Sequence, residues 1–289
     1  MAKALFENLN SKSRTSFLVN AFVLERFTVP YHFHPEFELT LIIKGKGKRY
    51  VGKNMEDFDS GDLVFLGSDL PHSWKSEGSI DGELSAQAIV VHFEKNFLGQ
   101  DFFDKPELTN IHNLLKMSAY GIRFWNETAK NVRQQMELLA EEENAFRKML
   151  MLLDILENLG NSKEYTLLDQ DGIVAQQPNS NKERINAALG YIVDNFRNEI
   201  LLDKVAAVVN MSPNAFCKYF KRVTNKTLIE TVIEYRINFA IQQLLSTDKA
   251  VAEISMESGF GDVSHFYKIF KKRMKMSPLN YRRNFQKGL

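Results

Sequence analysis

The chain has 289 residues, 44% hydrophobic and 25% charged, with a net charge of +1. That is the composition of a globular protein long enough for two domains. No run of about 18 apolar residues predicts a membrane span, the segment MAKALFENLNSKSRTSF lacks the apolar run of a signal peptide, and the single cysteine, Cys217, excludes an intrachain disulfide framework and fits a reducing cytoplasm.

From Phe17 to about Phe97 the runs SFLVNAFVLERFTV, FELTLIIKG, KRYVG, DLVFL and SAQAIVVHF alternate with turns rich in Gly, Asp, Asn and Ser. This spacing predicts short strands closing into a sandwich or small barrel. Within YHFHPEFELTLIIKGKG, residues His32, His34, Glu36 and Glu38 share strand parity and are expected on one face. Tyr31 and Phe33 have the opposite parity and are expected to pack outside. Imidazoles beside a carboxylate form a donor set for Zn, Fe, Ni or Mn; the same side chains equally line a metal-free pocket or stay hydrogen-bonded within a barrel. Tyr50 and Trp74 are placed at its mouth. His92 and His112 have no partner at a suitable spacing and are read as structural.

From about Asp101 the apolar period becomes 3.6, predicting helices over PELTNIHNLLKMSAY and over ETAKNVRQQMELLAEEENAFRKMLMLLDILENLG. In the second stretch Phe146, Met149, Leu150, Leu153 and Leu156 or Leu159 make one apolar stripe. It packs on its own domain or pairs two protomers, since both bury the same residue types. Further on, the segment from Asp169 to Lys182 is rich in Asn, Gln, Ser and Asp and reads as a linker.

The remainder is helical and repeats itself. Phe216, Phe220, Lys221 and Arg222 recur 50 residues later as Phe266, Phe270, Lys271 and Lys272. Ser212-Pro213 and Asp262 are helix-start signals. Each basic helix follows a shorter one, with Val205-Ala206 and Ile254-Ser255 as small residues where helices cross. Two helix-turn-helix units result. Between them LIETVIEYRINFAIQQLLS, Leu228 to Ser246, predicts one helix about 28 Å long at about 1.5 Å per residue. That length suits successive major grooves about 34 Å apart on one face of a duplex. Charge agrees: from Lys182 onward there are 18 Lys and Arg against 10 Asp and Glu, while the rest of the chain has 19 against 26. A basic end on an acidic body points to a polyanionic partner.

Residues 182–289 resemble the DNA-binding domain of the AraC/XylS family of bacterial transcription regulators, on SPNAFCKYFKRVTNKT, VAEISMESGFGDVSHFYKIFKKRMKMSPLNYRR and the helix between them. The resemblance implies base reading by Asn214, Cys217 and Lys218 in the first unit and by Val263, Ser264, His265 and Lys268 in the second. It assigns Lys221, Arg222, Lys271 and Lys272 to the DNA backbone. Where the family has Gly after each recognition helix, this chain has Asn225 and Lys275; Asn tolerates a left-handed cap and Lys does so poorly. The N-terminal half resembles the cupin pattern. His32, His34, Glu38 and Gly45 match H-x-H-x3-E-x6-G. FDSGDLVFLGSDLPHSW keeps Gly61 and His72 of the second half, with Gly67 and Asp69 where Pro and Gly are usual. AraC-type regulators commonly carry such a barrel as a sensor.

The expected architecture is α+β with two domains: a cupin-like barrel over 1–125 with an N-terminal arm, a helical dimerisation segment over 126–160, a linker over 161–181, and an all-α DNA-binding domain over 182–289. The expected function is a cytoplasmic, sequence-specific transcription regulator without enzymatic activity. Its effector pocket comprises His32, His34, Glu38, Tyr50, His72 and Trp74, and His32, His34, Glu38 and His72 are the candidate ligands of a divalent metal that the function does not require. Its partners are promoter DNA, a small-molecule effector, RNA polymerase and a second copy of the chain, with no membrane. The alternative is a metal-dependent cupin dioxygenase or isomerase fused to a DNA-binding domain.

Overall fold

The computed structural model describes residues 5–6, 16–29, 31–52, 54–76, 86–169, 179–224 and 226–285. They form two compact units that meet in sequence at 178/179. Most of the expected arm over 1–16 and residue Asn225 lie outside the described residues.

The first unit is built from β1 (Leu5–Phe6), β2 (Phe17–Leu24), β3 (His32–Phe33), β4 (Phe37–Lys44), β5 (Gly47–Val51), β6 (Asn54–Phe58), β7 (Leu63–Leu66), β8 (His72–Ser76), β9 (Ala86–Phe93), β10 (Ile122–Phe124) and β11 (Tyr165–Leu167). One sheet has the order β1-β3-β8-β5-β6 and the other β11-β10-β7-β4-β9-β2. The strands β4, β7 and β9 are apolar almost throughout because both of their faces are covered. Inward, Ile42, Val64, Leu66, Ala88 and Val90 join Phe27, Val51, Phe58 and Trp74 in one core. Outward, Phe37, Leu39, Leu41, Phe65 and Val91 join a second core. Helices α1 (Thr109–Met117), α2 (Asn126–Glu141) and α3 (Ala145–Asn161) close that outer core with Ile111, Leu114, Val132, Met136, Leu139, Leu152, Ile155, Leu156 and Leu159.

Several expectations change here. The histidine segment is not one strand: β3 and β4 lie in different sheets, and Pro35 falls in the bend between them. Tyr31 and Phe33 are 1% and 4% exposed, not outside. The Tyr31 hydroxyl donates to the Gly52 carbonyl at 2.6 Å, and neither ring faces solvent. The segment 126–160 is no separate module, because its main stripe is spent on the barrel's outer sheet. Phe146 and Leu150 of the expected stripe remain 63% and 49% exposed, and Leu138 is 60% exposed. The linker is shorter than 161–181. Tyr165–Leu167 pair with Phe124–Ile122 across β10, and Leu168 and Asp169 are buried.

The second unit runs through α4 (Asn179–Asn195), α5 (Leu202–Val208), α6 (Pro213–Thr224), α7 (Leu228–Ser246), α8 (Val251–Glu257), α9 (Val263–Met274) and α10 (Pro278–Phe285). The predicted rod is present end to end as α7. A capping box starts it: the Thr227 hydroxyl accepts from the Glu230 N–H, and the Glu230 carboxylate accepts from the Thr227 N–H. Phe196, which lies just past the end of α4, packs against Tyr235 and Phe239 of this helix. Its second half, through Ile237, Ala240 and Leu244, packs on Ile254, Phe260, Phe266 and Phe270. Among the described residues no helix is long and apolar enough to cross a membrane.

Candidate functional site

In the barrel, three imidazoles converge on one carboxylate. Glu38 leads into the interior from β4 and is 4% exposed. Its Oε2 lies 3.0 Å from His34 Nε2, 3.2 Å from His72 Nε2 and 2.9 Å from His92 Nε2. Its Oε1 accepts from the Thr40 hydroxyl. His32 stands opposite His72 across β3 and β8, with ring centroids 4.3 Å apart. His72 Nδ1 is bonded to the Leu70 carbonyl at 2.8 Å, which orients its ring. Asp69 holds a left-handed conformation at φ 61 and donates its N–H to the His34 carbonyl at 2.8 Å, clamping the bend that carries His34.

Burial opposes charge on Glu38, but the His72 charge and the hydrogen bonds from His34, His72 and His92 outweigh it and hold the carboxyl well below its usual range. Burial would likewise push His34 down. Its contacts with Glu36 and Glu38 reverse this and raise it to about 10.

The sequence brought His32, His34, Glu38 and His72 to one site, and they do meet: their ligand atoms lie within 4.8 Å of one another. Donors bound at about 2.1 Å to a single ion sit about 3.0–3.4 Å apart, so a small inward movement completes an N3O set suited to Zn, Fe, Ni or Mn. His92, read as structural, is a fourth imidazole of the site. It was missed because its partner is 54 residues away across the β4–β9 pairing, where Glu38 stands opposite His92. The available signal was its parity with Val90 and Ala88 in AIVVHF. His112 pairs with Asp104 at 3.1 Å, away from this cluster, as a structural residue would. Tyr50 does not join the pocket. In β5 it lies opposite Ser73, whereas Arg49 and Val51 stand opposite Trp74 and His72, so the pleat turns Tyr50 to the other face.

Beside this cluster is a cavity of about 460 Å³ lined by His32, Glu38, Thr40, Trp74 and His92 and by apolar side chains of β2, β4 and β9. Two of its polar atoms, Trp74 Nε1 and His92 Nδ1, are buried and have no hydrogen-bond partner among the described residues.

In the second unit the two turns differ as their sequences require. Residues 209–212 join α5 to α6, with Asn210 left-handed at φ 54. The α8–α9 turn, 258–262, is one residue longer and uses Gly259 at φ 86, where a Cβ would lie 2.8 Å from the carbonyls of Phe196 and Arg197. The Asp262 side chain caps α9 by accepting from the His265 N–H, and Ser212 does the same for Ala215 at 3.4 Å. Phe216, Phe220, Phe266 and Phe270 are fully buried. On the opposite faces Asn214, Cys217, Lys218, Lys221, Arg222, Ser264, His265, Lys268, Lys271 and Lys272 are exposed, and Val263 is half-buried. Among the described residues none of the six cations in this set forms an ion pair. Lys275 ends α9 at φ 60, ψ 9, a left-handed cap.

Comparison with known proteins agrees with both halves. Residues 205–284 match the family described as Helix-turn-helix domain, and residues 23–99 match the AraC-like ligand binding domain. The uncharacterized HTH-type transcriptional regulator YdeC of Bacillus subtilis is 26% identical over 268 residues, 88% of this chain and 86% of that protein. An uncharacterized HTH-type transcriptional regulator in the cgkA 5' region of Pseudoalteromonas carrageenovora is 36% identical over 124 residues, 41% of this chain and 74% of that one. The melibiose operon regulatory protein of Escherichia coli K12 is 22% identical over 269 residues, 87% and 83% of the two chains. All three are named as regulators, which favours regulation over a barrel enzyme tethered to DNA.

Proposed function

The chain belongs to the AraC family of DNA-binding transcription regulators, and from that premise we propose that it reads two neighbouring turns of promoter DNA as a cytoplasmic homodimer whose operator affinity is set by a small molecule in the barrel. The observation that carries this is the pair of capped basic helices, with unpaired cations outward and phenylalanines inward, built on one unbroken 19-residue helix. In this reading Asn214, Cys217, Lys218, Val263, Ser264, His265 and Lys268 face base edges. Lys221, Arg222, Lys271 and Lys272 meet phosphates. Leu138, Phe146 and Leu150 supply the apolar surface for a second copy, and RNA polymerase is the partner at the promoter. The effector acts only through a difference in affinity between two arrangements of the protein. Selection of bound sequences from a random DNA pool, with and without cell metabolites, tests the proposal. Recovery of two conserved half-sites about one helical turn apart is the expected result, and recovery of no sequence preference ends it.

The donor geometry also supports a metal at the barrel floor. His32, His34, Glu38 and His72 would hold it and fix its coordination, and the ion would supply a Lewis-acidic anchor for an effector. Metal analysis of the purified chain, compared with a His34→Ala variant, checks this: a stoichiometric ion lost in the variant supports it, and no ion in either rejects it.

A further inference from the structure

The barrel cavity is graded along its strands. In register, Glu38 pairs with His92; the next row outward is Asn20, Val90 and Thr40; the next is Phe22, Ala88 and Ile42; the last is Leu24 beside Ala86. The polar side chains Glu38, His92, Asn20 and Thr40 therefore stand in the two inner rows, beside Leu18 and Val90, and the two outer rows are wholly apolar. Trp74 faces the same space from the other sheet, its ring 5.8 Å from that of His72. At the outer end Phe22, Leu24 and Val29 are 40%, 36% and 38% exposed, so the apolar end is also the open one.

Resting on the reading that the barrel takes an effector, we propose that this effector is a single-headed amphiphile: an apolar body with one polar head that carries a hydrogen-bond acceptor. The head lies at the Glu38–His92 floor of the cavity, which is lined also by Trp74, whose N–H is a donor without an acceptor. The body runs outward along Phe22, Ile42 and Ala88. From the Glu38 row to the Ile42 row is about 14 Å at about 3.4 Å per residue, and a cavity of about 460 Å³ is of the size that takes a small molecule. A sugar fits poorly. It presents a hydroxyl on nearly every carbon, and the side chains of the two outer rows offer those hydroxyls no hydrogen-bond partner.

The test is titration calorimetry on the full chain with 4-butylphenol, 4-butylbenzoate and maltose, followed by operator binding with each. One of the two amphiphiles is expected to bind. The phenol and benzoate arms separate an uncharged head from an anionic one. Trp74→Phe, which removes only the indole donor and some volume, should weaken binding about tenfold. Phe22→Asp, on a partly exposed edge strand where folding tolerates charge, should weaken it at least as much while the melting temperature holds. Tighter binding of maltose, or binding of neither amphiphile at millimolar concentration, overturns the proposal. An amphiphile whose binding both variants leave unchanged overturns it too. Binding that both variants weaken, with no change in operator affinity, upholds the cavity assignment and instead defeats effector control.

Discussion

Glu38 is a fully buried carboxylate with three imidazole nitrogens around one oxygen. Removing its charge strands those donors in a low-dielectric site, so Glu38→Gln should cost about 3 kcal/mol in denaturant unfolding. The same cluster sets a pH window. His34 holds its proton more tightly folded, at about 10, than unfolded, at 6.5, so its stabilisation is complete below the unfolded value and is lost as pH rises through about 10. Glu38 runs oppositely: its stabilisation is present above 4.5 and is lost as pH falls through its depressed folded value. Melting curves across this range should show a neutral plateau with two falling limbs, and His34→Gln should flatten the alkaline one. Strand parity exposed His32, His34 and Glu38, and the resemblance to the cupin pattern added His72, because they sit in two short segments. His92 was hidden because strand register is a long-range property that local sequence does not state. Tyr31 and Phe33 were misplaced for a related reason: parity names the face of a strand but not whether that face meets solvent.

At the level of elements, the helices were the easier part to read. Caps, small residues at the crossings and the Phe stripes all lie within a few turns of one another, and Leu228–Ser246 appears with the bounds its sequence predicted. The strands β10 and β11, three residues each, carry no period long enough to register, which is why the linker was drawn too early. Lys275 illustrates a local conflict that the fold overrides. A non-glycine residue there costs about 1–2 kcal/mol relative to a right-handed conformation, so Lys275→Gly should raise unfolding stability by about 1 kcal/mol. Chemical denaturation measures it, and a loss of stability would mean that the Lys275 side chain makes a contact worth more than the strain. The recognition helices allow a division of labour to be tested. Lys218→Ala and Lys268→Ala should each cost about 1–3 kcal/mol on the selected operator and little on random DNA. Lys271→Ala should weaken both alike and reduce the salt slope by about one unit. Equal losses throughout would erase the distinction between base and phosphate contacts.

For the molecule as a whole, each unit has its own core. The chain from 179 onward is therefore expected to fold alone and to keep operator selectivity at reduced affinity, which gel-shift titration checks. Association should depend on the outward residue set of α2 and α3. Phe146→Asp with Leu150→Asp is expected to yield monomers in sedimentation without lowering the melting temperature, since neither side chain supports the inner core. The two-domain division was legible from the change of period and charge; the sharing of one core by barrel and helices was not, because an apolar stripe does not say what it will cover. That sharing has a consequence. Along β4 the side chains of Glu38, Thr40 and Ile42 border the cavity, while the intervening Leu39 and Leu41 wedge against the helical layer. The partition between the cavity and the helical layer is a single strand thick. Close-packed matter transmits displacement rather than absorbing it, so whatever seats itself in the barrel presses, through one backbone, on the helices by which two copies would meet.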